Sequence, residues 1–202
     1  MDLVSTLNRK AESTGRPLAG LSAGNDRYGP LAALLLCPAG HVSVRTTTDH
    51  GYDATVWDYR QDLVAWGHTD STDAIVETMQ RWQAGSSLDV VQHLTRVDET
   101  DVAAAFEVLW RLVLGYDGDD LVRIASAAMG DATLRRLRPW VGHGTLHLLH
   151  RDDRIGGTRI GLALYSYGDE RWRVHVYGHP FSPVLDDVDA AVAFASRAAA
   201  SW

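Results

Sequence analysis

Leu134-Arg-Arg-Leu-Arg-Pro-Trp-Val-Gly-His-Gly-Thr-Leu-His-Leu-Leu-His150 is the stretch on which the fold turns. Its arginines Arg135, Arg136 and Arg138 suit the negative end of a helix, with anion binding as the other use of such a cluster. Pro139 cannot continue that helix, because it lacks an N–H and its ring clashes with the preceding turn. The apolar run from Val141 to His150 then predicts a strand, anchored by Trp140. Three histidines invite a metal reading, which strand geometry opposes. At a rise of about 3.3 Å per residue, His143 and His147 stand about 13 Å apart and His150 points to the other face. A helix would bring His143 and His147 together, but Gly142 and Gly144 disfavour one. The expectation is a helix-to-strand joint that presents His143 and His147 on one side and holds no metal.

Downstream, the alternation predicts strands from Arg159 to Tyr167 and from Arg171 to Tyr177, with turns at Asp152-Asp153 through Gly156-Gly157 and at Gly168-Asp169. A last helix is predicted from about Asp187 to Ser201. Upstream, Phe106, Leu109, Trp110 and Val113 form one apolar face of a helix from Val102 to Leu114, stopped by Gly115. A second helix runs from Leu121 to Met129, capped by Asp119 or Asp120, and Asp131 starts a short one reaching Arg138.

The strand period places Thr145 and His147 on one face, and Arg171, Arg173 and His175 on one face of a nearby strand, with Trp172, Val174 and Val176 turned into the core. If the polar faces coincide, they form a basic, histidine-bearing surface flanked by Tyr165 and Tyr167. Such a surface suits a carboxylate, a phosphate or an acidic peptide; an ordinary solvated sheet face is the plainer alternative. His143, His147, Tyr165, Arg171, Arg173 and His175 are therefore the candidate binding residues, and no catalytic residue is assigned.

The first half has its own order. A helix from Asp2 to Ser13 is closed by Gly15, and a glycine-rich loop is expected from Leu18 to Pro30. Four strands follow, from Leu31 to Cys37, His41 to Thr46, Tyr52 to Tyr59 and Leu63 to Gly67, as an antiparallel meander. Thr69-Asp70-Ser71-Thr72 caps a helix through Trp82, which Gly85 ends. Trp66-Gly67-His68 with Asp73-Ala74-Ile75-Val76 is echoed by Tyr177-Gly178-His179 with Asp189-Ala190-Ala191-Val192, which suggests internal duplication. In that echo Gly67 and Gly178 would permit a turn, and His68 and His179 would brace it. The fold expected is α+β: two related antiparallel-sheet units of three to four strands each, covered by helices. Residues 1–87 form the first and 88–202 the second, packed as one globular body.

Composition narrows the function. A net charge of −7 argues against general affinity for nucleic acid. No apolar run approaches the roughly 20 residues that span a bilayer, so no membrane partner is expected. The N-terminal Met-Asp-Leu-Val-Ser puts an acid where a secretory signal carries bases, which makes the cytoplasm the expected location. Cys37 has no cysteine to pair with and, in an apolar run, reads as an inert buried thiol. The acidic groups Asp117, Asp119, Asp120 and Asp186, Asp187, Asp189 lack calcium-loop spacing and read as helix caps. Ser71, Ser126 and Ser166 sit in no nucleophile elbow, and no glycine-rich loop joins a strand to a helix. No cofactor is expected, and a homodimer is left open.

The pattern Leu134-Arg135-x-Leu137-x-Pro139-Trp140-x-x-His143-x-x-Leu146-His147, preceded by Leu109-Trp110-x-x-Leu-x-Leu114, resembles the actinobacterial domain-of-unknown-function family 6193, labelled natural product biosynthesis protein. Pro30-Leu31, Trp66-Gly67 and Arg81-Trp82-x-x-Gly85-x-x-Leu88 extend the similarity over nearly the whole chain. The family carries an aromatic after the proline and a serine before the histidine, where this chain has Trp140 and Gly142. No role for that serine carries over. The resemblance implies an accessory protein of a peptide or other natural-product pathway that binds a substrate or partner protein. The alternatives are an enzyme of unrecognised type using the His/Arg sheet face, and an immunity-type or structural interaction protein.

Overall fold

Two runs of strands, each wrapped by helices on one face, account for most of the chain. The computed structural model describes residues 2–26, 29–47, 50–59, 62–96, 102–116, 118–150 and 160–202. The predicted turns at Asp49, at Arg60-Gln61 and at 152–157, the acidic lead-in 98–101, and Asp117 lie outside them. The α+β class is confirmed. Among the described residues the sheets have six and five strands, more than the three to four expected of each.

The first compact unit takes in the chain up to Val102. It contains α1 (Leu3–Ser13), β1 (Leu21–Asp26), β2 (Gly29–Cys37), β3 (Gly40–Thr46), β4 (Tyr52–Asp58), β5 (Leu63–Thr69), α2 (Thr72–Gln83) and β6 (Leu94–Arg96). The strands follow one another across the sheet in chain order, as short connections require. Val42, Val44, Val56 and Ala65 turn to one face, where Leu7 and Ala11 of α1 and Ile75, Val76 and Met79 of α2 complete the core. Each helix starts on a polar cap: the Asp2 carboxylate accepts from the Ser5 N–H at 2.9 Å, and the Ser71 hydroxyl from Ala74 at 3.3 Å. Lys10 pairs with Asp73 at 2.6 Å, and Gln80 donates to the Arg16 carbonyl at 2.6 Å, which ties α1 and its following loop to α2.

Two elements correct the sequence reading of this unit. The expected loop from Leu18 to Pro30 contains β1, whose glycine and polar residues hide its period. Residues 88–96, expected in the second unit, belong to the first because β6 pairs with β5 through Ala65↔Arg96, Trp66↔Thr95 and Gly67↔Leu94. Gly67 is a strand residue and not a turn: a Cβ there would lie 1.8 Å from the His93 carbonyl oxygen, so only glycine admits the β6 backbone. His68 braces a strand pair, with Nδ1 2.9 Å from Asp53 opposite it, and the Cys37 thiol is only partly buried.

The second compact unit comprises residues 103–202. Its elements are α3 (Val102–Leu114), α4 (Asp119–Gly130), a 3-10 turn (Leu134–Arg136), β7 (Arg138–Gly142), β8 (Thr145–Leu149), β9 (Gly161–Ser166), β10 (Trp172–Val176), β11 (Val184–Leu185) and α5 (Val188–Ala199). The sheet order is β11-β10-β9-β8-β7. Leu146, Leu148, Leu162, Leu164, Trp172, Val174 and Val176 are buried on the face that α4 and α5 pack against. Burying each of these large side chains contributes about 1.5–3 kcal/mol of transfer free energy.

The predicted helix end before Pro139 is a single 3-10 turn, held by the Asp131 carboxylate, which accepts from Thr133 at 2.9 Å, Leu134 at 3.0 Å and the Ser196 hydroxyl at 3.0 Å. Arg135 offsets no helix end. It forms a fork with Glu107 of α3 at 2.5 and 2.7 Å, which holds the Glu107 carboxyl below its usual pKa. The Trp110 indole N–H donates to the Arg135 carbonyl at 3.1 Å, locking the same joint from inside. Pro139 sits in β7, an edge strand, where a missing donor is tolerated. The residue capping α4 is Gly118, and Asp119 and Asp120 lie in its first turn, facing the positive helix end.

In each unit five consecutive strands are bracketed by a pair of helices that pack together, α1 with α2 and α4 with α5, to which the first unit adds β6 and the second α3. The two aromatic-Gly-His triplets do not hold equivalent places in that order. Trp66-Gly67-His68 lies within the fifth strand of its meander, whereas Tyr177-Gly178-His179 leaves the fourth, with Gly178 at φ 81°.

Candidate functional site

The strand expected from Val141 to His150 is a hairpin. His143 and Gly144 carry φ values of 52° and 72°, the two consecutive left-handed residues that a tight hairpin turn of the favoured twist needs. This overturns the placing of His143 and His147 on one side of one strand. His143 is an exposed turn tip, while His147 is in the middle of β8. Of the two glycines that disfavour a helix, Gly144 takes a left-handed place in the turn and Gly142 ends β7.

Folding the hairpin sets the site. Trp140 of β7 pairs with His147, His147 with Ala163 of β9, and Ala163 with His175 of β10. Strand pleating therefore puts Trp140, His147, Ala163 and His175 in one row on the face opposite α4 and α5, with the two histidine backbones about 9.6 Å apart. Arg173 pairs with Tyr165 in the adjoining row. The expected coincidence of the polar faces of β8 and β10 is present, and Trp172, Val174 and Val176 are buried as predicted.

The side chains engage one another along this face. The His147 ring stacks on Trp140, centroids 4.1 Å apart and planes 15° apart. Its Nδ1 is in hydrogen-bond contact with the Tyr177 hydroxyl. The Tyr177 ring is met edge-on by His175 at 5.6 Å, and His175 Nδ1 lies 2.7 Å from the Ser182 hydroxyl. The Arg173 guanidinium lies over the Tyr167 ring, 4.0 Å from its centroid, and its charged form is further favoured by a hydrogen bond with Tyr165. Arg171 is at the tight turn before β10, 3.5 Å from Asp169 and 5.9 Å from the Tyr167 centroid. The buried Trp140 Nε1 has no hydrogen-bond partner among the described residues.

Of the six candidate residues, five gather on this face: His147, Tyr165, Arg171, Arg173 and His175. His143 does not join them. Trp140, Tyr177 and Ser182 belong to the site but were outside the predicted set. Tyr177 follows His175 by two and shares its face by simple alternation, a signal the sequence does contain. Ser182 and Phe181 lie in the irregular stretch after Gly178, where no period indicates a direction.

Chemically, the face offers two imidazoles hydrogen-bonded to hydroxyls, one guanidinium stacked on Tyr167, itself 46% exposed, and nearby in the chain Phe181, 71% exposed. Among the described residues no group of three or more histidines, cysteines, aspartates or glutamates is placed to hold a metal ion. No described helix is long and apolar enough to cross a membrane. No family model, curated protein or solved structure matches the chain.

Proposed function

We propose that the protein is an accessory protein of a peptide or other natural-product biosynthetic pathway, working in the cytoplasm, and that it binds a pathway substrate or partner protein on the second sheet. The observation that carries the binding part is the row Trp140–His147–Ala163–His175, bordered by Arg173 and the exposed Tyr167. Aromatic and arginine side chains that are partly exposed together are the usual anchors of a recognition surface. The pathway part is supported by the resemblance of the Leu134–His147 pattern. Deleting the gene in its host and identifying the accumulated intermediate by mass spectrometry tests the reading. Accumulation of one intermediate, bound unchanged by the purified protein, is the expected result, and unchanged product yield contradicts it.

The second reading is an enzyme of the same pathway, favoured by the hydrogen bond between His147 Nδ1 and the Tyr177 hydroxyl, two groups able to exchange a proton. Conversion of the accumulated intermediate by the purified protein decides for it.

A further inference from the structure

We infer that the Arg173–His175 end of this face binds the carboxylate of a small aromatic acid. The inference rests on the reading of the face as a binding surface and names what that surface takes.

Arg173 is the reason to look for an anion. Three described arginines are held by acids: Arg81 is 2.9 Å from Glu77, Arg135 2.5 Å from Glu107, and Arg171 3.5 Å from Asp169. Arg173 is partly buried, its Nε is buried without a hydrogen-bond partner, and no described carboxylate pairs with it. Its contacts are the Tyr167 ring and the Tyr165 hydroxyl. Stacking a guanidinium on a ring covers its plane and leaves its N–H edge, which matches the two oxygens of a carboxylate. A cation held in this way in a chain of net charge −7 is a site built for an absent partner.

His175 supplies the second donor. It lies two residues along the same strand face, about 6.6 Å away by backbone. Ser182 occupies its Nδ1 at 2.7 Å, and Nε2 has no partner among the described residues. In the tautomer in which the serine hydroxyl donates to Nδ1, which a bound carboxylate favours, Nε2 carries the proton and donates outward.

Charge and shape select within the anions. One guanidinium without a carboxylate partner balances one negative charge, whereas a phosphate dianion calls for a second fixed cation, and the neighbouring Arg171 is an exposed side chain 3.5 Å from Asp169. Tyr167 is 46% exposed, and Phe181, the chain neighbour of Ser182, is 71% exposed, so aromatic surface close to this end of the face is open to a ring.

The test is a titration of the isotope-labelled chain with phenylacetate, followed by NMR at the side chains of Tyr165, Arg173 and His175. Phenylacetate is expected to shift all three with a dissociation constant on the order of 1 mM, as a fragment of its size permits. Arg173→Met, with circular dichroism confirming its fold, weakens binding at least about tenfold; Arg173→Lys, a milder change, weakens it less. Equal binding of phenylacetamide overturns the carboxylate assignment while leaving the face a binding surface. Tenfold tighter binding of phenyl phosphate overturns it in favour of phosphate. No shift at these side chains with phenylacetate overturns it outright. None of these results decides whether the face serves the pathway, which loss of His147 in the host tests separately.

Discussion

His147 lies flat against Trp140, with ring centroids 4.1 Å apart, because the β7–β8 hairpin sets the two residues directly opposite each other. The stack needs the space beside it. A Cβ at Gly142 would lie 2.7 Å from Trp140 Cζ3 and 3.5 Å from His147 Nε2. Gly142→Ala is therefore expected to displace the stack and lower stability by about 1–3 kcal/mol, the usual cost of overpacking. Chemical denaturation measures it, and unchanged stability together with unchanged tryptophan fluorescence would show that the rings do not pack this way. Serine at this position would meet the same ring, so Gly142 and the Trp140–His147 stack belong together.

His143 serves the turn. Its φ of 52° suits asparagine better than histidine. His143→Asn should raise stability by about 0.5 kcal/mol and leave binding intact, while His143→Val should lower stability by about 1–2 kcal/mol. Loss of binding in the folded asparagine variant would return His143 to the site.

Gly67 admits β6. Because the obstructing atoms are the His93 carbonyl, with no flexible side chain to swing away, Gly67→Ala should detach the Leu94–Arg96 strand and destabilise the first unit by more than about 2 kcal/mol. Hydrogen exchange should show the Leu94–Arg96 amides losing protection before those of β3 and β4. Retained protection at those amides would contradict the pairing of β6 with β5.

His93 adds a pH dependence. Burial lowers its pKa from 6.5, opposed by the nearby Glu77 charge, and its Nε2 lies 3.2 Å from the Thr78 hydroxyl. The folded chain thus holds the proton more weakly than the unfolded one. This contribution is fully present above pH 6.5 and is lost as the pH falls through that value towards the lower folded pKa. Denaturation midpoints measured between pH 8 and pH 5 should fall on the acid side, and His93→Gln should flatten that part of the curve. An identical slope in the variant would place the titrating group elsewhere.

The period of the chain made much of this architecture legible. Val42 and Val44 against Ser43, and Trp172, Val174 and Val176 against Arg173 and His175, announce their faces by alternation alone, and α3 begins and ends at the residues its apolar stripe predicts. β6 and β11, three and two residues long, are too short to show a period, and β1 has a polar, glycine-bearing composition. The hairpin at His143-Gly144 escaped because an apolar run on both sides of a turn has the same composition as one long strand. The row joining His147 to His175 depends on register across β9, which composition does not encode; only pairing through Ala163 sets it. His143 was drawn in by its spacing, and Ser182 was missed because it has none.

The central claim is that the face carrying His147 is where the protein works, and complementation of the gene deletion by His147→Ala tests it most directly. His147 is only partly buried, but its removal loses the Trp140 stack and the Tyr177 hydrogen bond, a cost of about 1–2 kcal/mol that lowers the thermal midpoint by several degrees and leaves the chain folded, as circular dichroism checks. The predicted result is a folded variant that fails to restore product yield in the host. Wild-type yield from that variant would contradict the account.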